Sequence, residues 1–174
     1  MHDDSVPKRS RPCARRVMLA SAMIYRPAVA AILQDRSGRI LICERSDTFG
    51  AWQFPQGGIE PDETPLDALA REVFEEISLP RGSYGIAASR GPYRYRFPEG
   101  ITKKGFQGQA HYYFLLRLRG SKSLINLAAA NEEFRQSRWI RPEEFDLSWL
   151  PPMKRRVYRR VLQDFFGVTA RAMS

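Results

Sequence analysis

The chain has 174 residues, 43% of them hydrophobic and 27% charged, with a formal net charge of +9. The length fits one domain with a short tail, and the apolar content suffices for a core, which excludes wholesale disorder. No apolar run reaches the roughly 20 residues that span a bilayer, and Cys13 and Cys43 alone build neither a disulfide framework nor a four-cysteine zinc site.

Residues 1–22 read as a flexible basic tail, in which Asp3, Asp4, Pro7 and Pro12 mix with Lys8, Arg9, Arg11, Arg15 and Arg16. Ala20-Ser21-Ala22 imitates a signal-peptide cleavage site, but the apolar stretch before it is too short, so the expected compartment is the cytoplasm. Met18 and Met23 are alternative starts. A single α/β domain is expected over 23–168, with a C-terminal tail over 169–174. Residues 28–33 predict a buried strand, 35–38 a turn and 39–44 the returning strand. Residues 52–54 are a short extended piece, stopped by Pro55 and the Gly57-Gly58 pair. The spacing predicts a helix over 64–77, with Leu66, Leu69, Ala70, Val73 and Ile77 as its apolar stripe. Thr64 is its cap and Pro65 its first residue. Strands are predicted over 84–97, 111–118 and 137–140, a small helix over 142–145 and a second long helix over 152–166. No internal repeat interrupts this order.

Charge is unevenly placed. Residues 57–79 hold seven acids and one base, a net −6, so the remainder carries +15. Such an island reads either as a metal site facing a polyanion or as a solvated acidic helix. Glu72, Glu75 and Glu76, at i, i+3 and i+4, share one helical face. Like charges at that spacing destabilise a bare helix, and make sense around a cation; hard oxygen ligands suit Mg²⁺ or Mn²⁺.

Gly57, Glu63 and Arg71-Glu72-Val73-Phe74-Glu75-Glu76-Ile77-Ser78-Leu79 together resemble the Nudix box, G-x5-E-x7-R-E-U-x-E-E-x-G-U, with U apolar. The one departure is Ser78, where the box has glycine. The resemblance implies a loop–helix–loop that binds divalent metal and cleaves a nucleoside diphosphate linked to a group X. The Gly57-Gly58 pair then allows close backbone approach, Glu63 pairs with Arg71, and Glu72, Glu75 and Glu76 are ligands. A serine at a left-handed helix exit costs roughly 1–2 kcal/mol.

The flanks narrow the resemblance. Tyr25-Arg26-Pro27, Trp52-Gln53-Phe54-Pro55-Gln56-Gly57-Gly58, Gly108-Gln109, Ile125-Asn126-Leu127, Glu133-Phe134, Arg138-Trp139 and Lys154-Arg155 are similar in order to the bacterial RNA pyrophosphohydrolase branch of Nudix enzymes. That branch is close to the diadenosine polyphosphate hydrolases. It implies a Nudix α/β/α sandwich around a mixed β-sheet and Mg²⁺-dependent removal of pyrophosphate or phosphate from RNA 5′ ends, leaving a 5′-monophosphate. By the same resemblance Glu133 joins Glu72, Glu75 and Glu76 as a metal ligand; on its own it reads as a loop carboxylate. Glu76, then Glu72, is the expected general base, with Glu75 and Arg71 in the catalytic set. Lys154, Arg26, Gly57 and Gly58 are expected to hold substrate. The partner is an RNA 5′ end or a dinucleoside polyphosphate, with neither DNA nor a membrane, and the chain is expected to be a monomer. A non-catalytic nucleotide-binding regulator is the third reading, against which the complete set of box acids speaks.

Helical geometry supports Lys154 separately: it is the one charge on a stripe formed with Tyr158, Val161, Leu162 and Phe165. Where the branch often has an aromatic before this lysine, Met153 stands here, so base stacking is weaker. Arg155, Arg156, Arg159 and Arg160 read as a solvated basic face or as general RNA attraction. Tyr93, Tyr95 and Phe97 alternate with Arg94 and Arg96, either as a half-buried strand or as a nucleotide-binding one.

Overall fold

The computed structural model describes residues 24–173; the predicted tail over 1–22 and both alternative starts lie outside them. Seven strands form one mixed sheet: β1 (Tyr25–Gln34), β2 (Ile40–Arg45), β3 (Trp52–Gln53), β4 (Gln56–Gly58), β5 (Tyr84–Arg96), β6 (Gly108–Leu118) and β7 (Phe134–Ile140). The main path runs β3-β2-β1-β6-β5, with β4 on β1 and β7 on β2. β1 and β6 are parallel, in register from Tyr25↔Gly108 to Gln34↔Arg117; the other pairs are antiparallel.

β1 is apolar without alternation because both its faces are covered. Val29, Ala31 and Leu33 meet Leu69, Val73 and Ile77 of α1 (Pro65–Ile77). Ala30 and Ile32 meet Val157, Tyr158, Val161 and Leu162 of α2 (Pro152–Phe166). β6 divides likewise, Phe114, Leu116 and Leu118 toward α1 and Tyr113 and Leu115 toward α2. Each fully buried Leu, Ile or Val contributes about 1.5–3 kcal/mol. The result is the expected three-layer α/β/α sandwich.

Thr64 caps α1: its Oγ1 accepts from the Asp67 N–H at 3.2 Å and donates to Asp67 Oδ2 at 2.6 Å. The apolar stripe begins at Ala68, since Leu66 is exposed. The helix ends on Ser78, left-handed at φ 54°, whose N–H reaches the Phe74 carbonyl at 2.9 Å. β4 was not expected; the glycine pair reads as a stop, yet Ala28↔Gly58 and Ala30↔Gln56 pair across it. The predicted small helix over 142–145 is a 3-10 turn, Pro142–Glu144.

The expected C-terminal tail is a correction. After Gly167 closes α2, Ala170 is buried in the α2-side core, Leu147 N–H donates to the Arg171 carbonyl at 3.0 Å and Met173 N–H to Asp146 Oδ1 at 2.9 Å. An apolar methyl and two chain hydrogen bonds anchor residues that composition alone leaves free.

Candidate active site

β4 sets the geometry by passing between α1 and β1. A side chain on Gly57 would fall inside the van der Waals surface of the Glu72 carboxylate, and one on Gly58 inside the Arg26 guanidinium. Both glycines are thus needed for close approach.

Arg71 is the hub of the acidic helix. Its Nε and Nη2 grip Glu63 bidentately at 2.6 and 2.8 Å, and Nη2 also donates to the Gly58 carbonyl at 2.9 Å. Nη1 reaches Glu72 Oε1 at 2.7 Å and Glu75 Oε2 at 3.3 Å. Such a forked, charge-assisted set fixes β4, the loop and the helix together. Hydrogen bonding to Arg71 holds the Glu63 carboxyl below its usual range.

The three helical glutamates occupy different surroundings. Glu76 is buried, and its Oε2 accepts from the Gln56 N–H at 2.8 Å. Burial first, then the charges of Glu72 and Glu133, push it up to about 9 against that hydrogen bond. Glu72 is also raised, by burial opposed by Arg71. Glu75 is half exposed. Glu133, before β7, accepts at Oε1 from Arg45 Nη1 at 2.9 Å. Each acid is engaged by a donor of the chain, and among the described residues no three acidic, His or Cys side chains surround one point at ligand distance. The donor set itself, four carboxylates of which Glu72 and Glu76 are raised by burial and by neighbouring acids, has the hard-oxygen chemistry of a Mg²⁺ or Mn²⁺ site.

Beside these acids lies a cavity of about 320 Å³. Arg26, Gly57, Gly58, Glu133 and Lys154 line it; Glu63, Arg71, Glu72, Glu75 and Glu76 stand outside it, behind β4. Lys154 is almost fully buried, donates to Gln53 Oε1 at 3.1 Å and sits 5.9 Å from the centroid of the Tyr95 ring. Burial, with Arg45 and Lys103 nearby, brings it down to about 8. Arg26 Nη2 pairs with Glu60 Oε1 at 2.9 Å. Arg155 is not a free outward charge: its Nε donates to the Leu150 carbonyl at 2.9 Å, while Arg160 pairs with Asp164.

Arg45, Gln53, Tyr95, Phe97, Lys103 and Trp149 also line the cavity. Of these, Tyr95 and Phe97 carried a signal, the alternation in β5. Arg45 and Lys103 carried none, because the end of β2 and a hairpin tip bring them in from distant sequence.

The family model for the NUDIX domain matches residues 24–165. RNA pyrophosphohydrolase of Rickettsia conorii is 40% identical over 146 residues, covering 81% of this chain and 89% of that protein. The enzyme of the same name from Rickettsia bellii is 40% identical over 149 residues, covering 83% and 91%. Among solved structures, the E. coli dihydroneopterin triphosphate pyrophosphohydrolase superposes with a TM-score of 0.60 at 18% identity, over 81% of this chain and 96% of that one. A C. elegans Ap4A hydrolase complex gives 0.51 at 17% identity, over 67% and 81%. The box residues, the sandwich and the match along nearly the whole described chain have one meaning: the chain belongs to the Nudix hydrolases.

Proposed function

We propose that this chain removes pyrophosphate or phosphate from the 5′ end of RNA, leaving a 5′-monophosphate, and so prepares messages for degradation. The observation that carries the reading is the juxtaposition of a cationic cavity (Lys154, Arg26, Arg45 and Lys103) with the carboxylates of Glu133 and, across β4, Glu72 and Glu76. A 5′-polyphosphate fits both halves. The identity to the Rickettsia enzymes supports RNA as the substrate.

A divalent cation, Mg²⁺ or Mn²⁺, held by Glu72, Glu75, Glu76 and Glu133, would neutralise phosphate charge and activate the attacking water. Lys154 and Arg26 hold the terminal phosphates by charge-assisted hydrogen bonds. Gln53 orients the Lys154 ammonium. Glu76 is the proposed general base, with Glu72 second; burial raises both carboxyls, Glu76 to about 9, so a bound cation would be what keeps Glu76 ionised and able to take a proton near neutral pH. Arg71 positions Glu63 and Glu72 without lining the cavity. We place the enzyme in the cytoplasm as a monomer, in keeping with its RNA substrate.

Hydrolysis of diadenosine polyphosphates is the second reading, favoured by the aromatic wall of Tyr95, Phe97 and Trp149, which offers flat surfaces to a base. Turnover measured side by side on triphosphorylated RNA and diadenosine tetraphosphate decides between them. A kcat/KM at least tenfold higher on RNA is expected; the reverse ratio overturns the proposal.

A further inference from the structure

One face of the sheet is open where β1 and β6 begin and β5 ends. β5 alternates across the sheet there, with Tyr93 and Tyr95 on the α2 side and Arg94 and Arg96 on the opposite face. Arg94 lies opposite Ala110 and Arg96 opposite Gly108, which in turn neighbours Tyr25 of β1. The Tyr25 ring spreads over Gly108: a Cβ there would sit 2.9 Å from Tyr25 Cδ1. The Arg94 guanidinium is 5.8 Å from the centroid of that ring, and Arg96 Nε donates to Tyr25 Oη at 3.2 Å. On the same face Tyr112 is 36% exposed; it is in register with Val29 of β1 but has no partner on β5, which bulges between Arg90 and Tyr93. α1 covers this face only farther along, at Phe114, Leu116 and Leu118. Among the described residues neither Arg94 nor Arg96 forms an ion pair.

We infer that this face is a platform for single-stranded RNA, holding the nucleotides that follow the 5′ end in the cavity. It rests on the RNA reading of the active site. Bases of a single strand need flat partners and its phosphates need cations, and Tyr25, Tyr112, Arg94 and Arg96 supply both. Gly108 and Tyr112 are four β6 positions apart, about 13 Å, so the two rings engage different bases.

The platform is continuous with the cavity. Tyr95 lines the cavity while its two chain neighbours face the platform. At the hairpin tip Lys103 lines the cavity and Lys104 is exposed beside it, so a cationic path turns round the end of the sheet.

The test compares a triphosphorylated dinucleotide with triphosphorylated RNA of about 12 nucleotides, within the length one sheet platform covers. The full-length enzyme is used, unaltered and with Arg94→Gln, Arg96→Gln and Tyr112→Ser combined. Dinucleotide turnover is expected to stay within about twofold, which also reports that the variant is folded, while KM for the longer RNA rises about tenfold. The slope of log kcat/KM against log salt on the longer RNA should flatten by about 1.4, the value for two phosphate contacts on a single strand. Restoring both cations as lysine should restore that slope. In the unaltered chain, a photoreactive uridine downstream of the 5′ end should crosslink to Tyr112 or Tyr25. Equal KM and salt slope on both lengths, an unaffected variant, or crosslinks confined to cavity residues overturn the platform and leave the RNA reading standing. Failure to cleave either RNA removes the RNA reading, and the platform with it.

Discussion

Gly57 and Glu72 occupy one space: the carboxylate of the helix lies where a β-carbon of the strand would be. Gly57→Ala must therefore displace a carboxylate, and Gly58→Ala must displace the Arg26 guanidinium. Because both obstacles are ends of flexible side chains, stability should change by about 1 kcal/mol or less, and the cost should fall on function. Gly57→Ala is expected to lower kcat by roughly tenfold or more, and Gly58→Ala to act mainly on KM. Steady-state kinetics on both variants check the split; an unchanged kcat in Gly57→Ala removes Glu72 from the chemistry.

Glu75→Gln and Glu76→Gln should each reduce kcat at least ~10²-fold while the fold survives. Glu76→Gln has a second signature. The buried carboxyl is strained by its neighbours, so its neutral replacement should leave the metal-free melting temperature at pH 7 unchanged or higher. Near wild-type turnover in both variants would end the catalytic reading of α1.

Ser78 holds a left-handed conformation without being glycine. Ser78→Gly should raise stability by about 1 kcal/mol with little effect on activity. Denaturant unfolding measures it, and a lower midpoint would mean that the serine side chain compensates its own strain.

Lys154→Ala should cut kcat/KM at least about tenfold on any polyphosphate substrate, since a charge-assisted contact contributes about 1.5–3 kcal/mol. With its pKa brought down to about 8, the native lysine loses its charge as pH rises through that value. The wild-type kcat/KM profile should therefore fall above pH 8. Lys154→Arg, which stays charged, should lack that limb whatever its absolute rate.

His111 is wholly buried on β6, between Tyr95 and Tyr113, with Nδ1 unpartnered. Burial first, then Lys154, holds it down to about 3 against an ordinary 6.5. The unfolded chain takes up a proton below 6.5 that the folded one refuses, so stability is full above that pH and falls as pH drops toward 3. The loss is on the order of 4 kcal/mol across the window. His111→Gln should flatten the dependence of unfolding free energy on pH between 6.5 and 4. An unchanged slope would mean that the imidazole is protonated in the fold.

The helix, its Thr64 cap and the shared face of its acids were legible because each depends on neighbours three or four residues away. The left-handed exit and the pairing of Glu63 with Arg71, eight residues apart, were legible only through the resemblance to the Nudix box. β4 was not, since two glycines carry no periodicity and pair only because β1 presents a free edge. Nor were Arg45 and Lys103, whose places depend on how the bulged end of β2 and the β5–β6 hairpin meet at the cavity. The four arginines of α2 were read as one outward group, but a backbone carbonyl takes Arg155, a contact with no local spacing to announce it.

β1 bonds to β6 along ten residues and to β4 at three, with a helix over each face. Its amides are expected to exchange with solvent only when the whole domain opens. Because Gln56 and Gly58 share that ladder, the backbone behind Glu72 and Glu76 inherits the same protection. The hairpin tip with Lys103 and the loop with Glu133 hang on few buried contacts and should exchange orders of magnitude sooner. The site is thus half anvil and half hand: the carboxylates of α1 and Arg26 of β1 rest on the slowest-opening part of the molecule, while Lys103 and Glu133 at its rim move on their own clock.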